Sequence, residues 1–173
     1  MPEAVTRSMT TQWLTRGAVL AVLMVLVRVV QGLAISVWET HVTAINVVLM
    51  IVFVAAVAGW ALVDGRRDAQ RNPDPDHRDD LAMWWLLAGI FAGAVSGLVV
   101  WLISLFNHGI YAAGILAELT TTAAFIGLLV FVPAMAAVFG GRLLVDRKEK
   151  EHAALQQSNT DVFQAVQEEE VVK

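Results

Sequence analysis

A chain of 173 residues that is 57% hydrophobic and only 16% charged lies outside the composition of soluble globular domains. Its net charge of −4 is carried by segments between and beyond long apolar stretches, so it describes loops and tails and says nothing about a nucleic-acid surface. The absence of cysteine excludes disulfides, thiolate metal centres and thiol catalysis.

Residues 1–12 form a short polar leader on what reads as the cytoplasmic side. Beyond it lie four apolar stretches, at residues 17–38, 42–63, 81–106 and 120–141. Each reaches the roughly 20 residues that a helix rising 1.5 Å per residue needs to cross a hydrocarbon core about 30 Å thick. The first is too long for a signal-peptide core and lacks a small-residue cleavage site after it, so it reads as a retained helix. The expected architecture is all-α: a four-transmembrane-helix bundle in a single membrane domain, residues 13–145.

The first span carries the one charge inside these stretches, Arg28. A charge at that depth costs about 3 kcal/mol or more unless it is paired or used. Gln31 at i+3 shares its helix face. Polar side chains gather in the outer half of the spans, among them Gln31, Ser36, Asn46, Ser104, Glu118 and Thr121, while the inner half is nearly all apolar. This pattern suggests a cup open to the outside with Arg28 at its floor. Such a floor suits the carboxylate, phosphate or sulfonate of an amphipathic ligand. The alternative is a structural lock in which Arg28 pairs with Glu118, the acid best placed to reach it from the fourth span. On that reading Glu118 is a counter-ion rather than a proton carrier.

Between spans two and three, residues 64–80 read as a solvated loop with two Asx-Pro turns, ending where Asp79 or Asp80 can cap the third helix. The third span carries Gly89, Gly93 and Gly97 at four-residue spacing, a groove that lets another backbone approach closely. It serves either packing within the chain or a dimer seam. Residues 107–119 are too short to span and predict a short outer helix or re-entrant segment, then a bend near residues 118–122. Pro133 in the fourth span removes a backbone donor and predicts a kink, with a gating hinge as the functional version. Residues 146–173 form a polar tail, of which 149–157 can prolong the fourth helix.

Topology can be read from the basic residues. Eleven lysines and arginines lie outside the spans, before the first, between the second and third, and after the fourth, and none lies in the other two connections. The positive-inside rule then places both termini and the middle loop in the cytoplasm, in an inner-membrane protein. Trp13, Trp60, Trp84 and Trp85 fall at the inner interface and Trp38 near the outer one. A faint repeat, Trp13-Leu14-x-x-Gly17 against Trp85-Leu86-x-x-Gly89, and Leu62-Val63-Asp64 against Leu144-Val145-Asp146, raises the possibility of two parallel duplicated hairpins.

Glu39, His41, His108 and Glu118 lack ligand spacing, so no metal site is expected, and no cofactor motif or catalytic motif appears. The expected partners are membrane lipid, a second copy of the chain or a larger membrane complex, with no nucleic acid.

The run VRVVQG around Arg28, the NPDPD loop leading into DLAMWWLLAG, the WLISLF end of span three and AELTT before the last span resemble an actinobacterial family of small membrane proteins. Its members are named as bacterial four-helix drug/metabolite transporters. The resemblance covers residues 13–148 and implies transport. The chain departs from the small multidrug exporters of that superfamily, whose first helix carries an acid where this one has Arg28. Two function classes therefore stand. One is a small transporter or transport subunit for an anionic or amphipathic molecule; the other is a non-transporting accessory subunit of a larger envelope or respiratory complex.

Overall fold

The first three apolar stretches contain no proline, and a helix satisfies every backbone group internally, as lipid requires. The computed structural model describes the backbone of residues 2–106 and 114–171, and the side chains of residues 13–106 and 114–157. It is an all-α bundle of four long apolar helices, with no strand among the described residues. Helix α1 covers Pro2–Val37 and turns through a 3-10 segment, Glu39–His41, into α2, Val42–Arg71. A second 3-10 turn, Pro75–His77, precedes α3, Leu81–Ser104. One helical turn, α4, Ile115–Ala117, then winds through a π-helical turn, Glu118–Thr122, into α5, Ala123–Val171. The stretches Trp13–Val37, Glu39–Arg71, Pro75–Ser104 and Ile115–Gln157 are long and apolar enough to cross a membrane.

Several boundaries differ from the sequence reading for identifiable reasons. The leader backbone is part of α1 from Pro2 onward. The segment expected as a loop from residue 64 begins with two further turns of α2. Asp64, Gly65, Asp68 and Ala69 are buried there, because these positions face α5 and arginines from other elements. The helix stops at Arg71, before Pro73, whose ring disfavours helix at the preceding residue. Asp80 caps α3, accepting a hydrogen bond from the Ala82 amide at 3.1 Å. The expected short outer segment falls partly on residues 107–113, outside the described residues; its remainder forms α4 and the start of the π turn. Helix α5 passes through Pro133 and carries the tail to Val171.

The lateral order of the helices is α1, α3, α5, α2, with α1 and α2 closing the bundle only loosely. The two hairpins therefore pack unequally: α3 lies tightly on α5, whereas α1 barely meets α2. Small residues explain the difference. A Cβ on Gly89 would stand 2.9 Å from the Gly127 oxygen, and one on Gly93 would stand 2.5 Å from the Ala123 oxygen. The glycine groove of α3 is thus an intramolecular seam with the Ala123/Gly127 stripe of α5. Gly141 and Gly65 make the α5–α2 seam in the same way, against Leu62 and Val138.

Phe53, Val57, Trp85, Ile126 and Val130 fill the centre, joined by Leu20 from α1. Trp60 meets Trp85 edge-on at 6.4 Å, and Trp13 meets Phe91 at 6.1 Å. Large apolar side chains also point outward: Val22, Leu26, Val30 and Leu33 on α1, and Phe125, Leu128 and Val132 on α5. Such an exposed apolar belt suits hydrocarbon and would be costly in water. This is a multi-pass membrane protein.

Candidate functional site

Arg28, central in the apolar stretch of α1, reaches across the bundle to Glu118 at the start of the π turn. Its two terminal nitrogens donate to the two carboxylate oxygens at 2.9 Å each, a bidentate fork. The Glu118 side chain is 2% exposed and that of Arg28 is 16% exposed. Glu118 can sit this deep because Gly97 leaves room: a Cβ there would be 3.0 Å from the Glu118 carbonyl oxygen. The π turn adds a residue to the helical repeat at the same place, a distortion common at functional sites. Thr120 in this turn donates to the Leu116 oxygen at 2.6 Å.

One turn further along α1, Gln31 donates to the Asn46 side-chain oxygen of α2 at 2.8 Å. This amide pair bridges the loosely packed α1–α2 boundary. It lines a cavity of about 150 Å3 together with Met24, Met50, Phe53 and Leu129. The cavity is apolar along its body and polar at the amides, the arrangement that orients an amphipathic ligand.

Of the residues singled out from the sequence, Arg28 and Glu118 meet, and Gln31 and Asn46 meet. These are two separate contacts rather than one cluster. Thr121 is exposed on the π turn and joins neither. Pro133 lies inside α5, outside both contacts. Among the described residues no three metal-ligating side chains converge; His108 lies outside them.

Sequence reasoning missed a second ionic layer at the end of the bundle that carries both termini. Arg16 of α1 pairs with Asp64 at 3.0 Å and lies over the buried Trp85 ring at 5.8 Å. Arg142 of α5 pairs with Asp68 at 2.6 Å and donates to the Asp79 carbonyl at 2.7 Å. Asp68 also accepts from the Asp79 amide at 3.2 Å. Arg78 forks onto Asp146 at 3.1 and 2.5 Å, and its hydrogen bonds hold that carboxyl below the usual carboxylate range. These pairs fasten the α2–α3 connection to α1 and α5. The available signal was the helical spacing itself, since Asp64 and Asp68 lie four residues apart on one face of α2.

No protein-family model matches the chain, and no curated protein does so either.

Proposed function

We infer that this chain is a small membrane transporter or transport subunit for an anionic or amphipathic small molecule, held in the cell membrane with both termini cytoplasmic. The observation that carries this reading is the bidentate Arg28–Glu118 fork, an anion-matching cation held within a membrane-spanning helix. A carboxylate, phosphate or sulfonate offers Arg28 the same two acceptor oxygens that Glu118 does. An anionic head can therefore replace Glu118 on the arginine, and the apolar surface of the membrane-spanning helices suits the tail of an amphipathic molecule. The resemblance to four-helix drug/metabolite transporters points the same way, and the eleven-to-none distribution of basic residues supports the orientation.

A second reading, a non-transporting accessory subunit, is favoured by one fact: the Arg28 charge is already met within the chain. Octanesulfonate added to nanodisc-embedded protein separates the two. Under the transport reading it raises the melting temperature of the wild type and not of Arg28→Gln, and mild-detergent purification yields only copies of this chain. No shift in the wild type, together with a stoichiometric second protein, would replace transport with the accessory role.

The orientation has its own test. Reporter fusions after His41 should read outside, and a fusion at Arg71 should read inside. A periplasmic signal at Arg71 would invert the topology.

A further inference from the structure

Arg67 and Arg71 stand out at the termini end of α2. Four residues apart, they lie on one helix face and line a cavity of about 220 Å3 with Arg16, Asp64, Asp68 and Asp79. The two buried carboxylates of this cavity are neutralised from other helices, Asp64 by Arg16 and Asp68 by Arg142. Arg67 and Arg71 close no salt bridge among the described residues and are exposed. Two guanidinium groups against the exposed Asp79 leave the open side of the cavity cationic.

Depth identifies the ligand. The apolar stretch of α2 ends at Val63, so Arg67 stands about 6 Å and Arg71 about 12 Å beyond it at 1.5 Å per residue. The headgroup layer extends roughly 5–7 Å beyond the hydrocarbon on each side, which puts Arg67 at phosphate level and Arg71 just above it. Leu81 at the cavity wall supplies the apolar side of such a site. Planar guanidinium forks suit phosphate oxygens better than a point charge does.

We propose that this cavity binds the phosphoryl group of an anionic phospholipid through Arg67 and Arg71. The bound headgroup bridges α2 to the start of α3, at the layer where Arg142 and Arg78 already tie these elements to α5. Arg66, adjacent in sequence, is outside the cavity and provides a matched control.

Native mass spectrometry of detergent-purified protein, with phosphatidylglycerol or phosphatidylcholine added, tests the site. The expected result is one retained phosphatidylglycerol per chain. The R67Q/R71Q double variant should weaken that adduct about thirtyfold, since each of the two interfacial arginines contributes of the order of 1 kcal/mol to anionic-lipid binding. R66Q should retain it. Arg67 and Arg71 close no salt bridge among the described residues, and unchanged melting temperatures of the variants without lipid check that their loss leaves the fold intact. Inorganic phosphate serves as the second probe. If phosphate rather than phosphatidylglycerol stabilises the wild type and not the double variant, the site takes a free phosphate and the lipid assignment falls. Equal phosphatidylglycerol retention by the wild type and the double variant overturns the site altogether.

Discussion

Replacing Arg28 with methionine should destabilise the bundle by about 3–5 kcal/mol, because it strands the buried Glu118 carboxylate without its cationic partner. Glu118→Gln should cost a similar amount by leaving the guanidinium unmatched at mid-span. The two losses should not add. With both charges gone, no ion remains to be desolvated, so the double variant should be more stable than the sum of the single effects predicts. Unfolding in detergent, measured for the wild type, both single variants and the double variant, gives the coupling directly. Strict additivity would show that the fork contributes no mutual energy. The same cycle bears on transport, since an anion that displaces Glu118 must offset the coupling that the cycle measures.

That pair was legible because the sequence offers so little choice. One charge lies inside the apolar stretches, and one acid, Glu118, approaches it from the last membrane segment. Desolvation makes their meeting nearly obligatory. Gln31 was harder to place. As a neutral amide it carries no such penalty, and the helix face it shares with Arg28 names no partner; across the loose α1–α2 contact it meets Asn46. The ionic layer at the termini end was hidden for a different reason. Residues 64–71 are polar enough to read as a loop, but their aspartates and arginines repeat every four residues and prolong α2. Composition describes solvation averaged over a segment, whereas burial there is decided residue by residue. The groove of α3 was readable as a small-residue stripe. Its partner was not, since Ala123 and Gly127 on α5 and a second copy of the chain satisfy that pattern equally well.

Gly93→Leu should be among the most disruptive substitutions available in the α3–α5 seam, costing about 3 kcal/mol or more by overpacking. A Cβ at this position already comes within 2.5 Å of the Ala123 carbonyl oxygen and 2.9 Å of its Cα, both backbone atoms that no rotamer change can move. Relief requires the two helices to separate. Separation would also lift Gly97 away from Glu118 and pull the π turn off α3, so the damage should reach the Arg28 fork. Leu87, on the same helix but 38% exposed, provides the contrast: Leu87→Ala deletes three side-chain carbons yet should change stability by about 0.5 kcal/mol or less. Detergent melting of both variants decides the matter, and cross-linking yield adds a second readout. A seam internal to the chain predicts that Gly93→Leu lowers the melting temperature without first lowering the oligomer yield. Equal melting of the two variants would mean that α3 and α5 tolerate separation, and a loss of oligomer at unchanged melting would move the groove to an interface between copies.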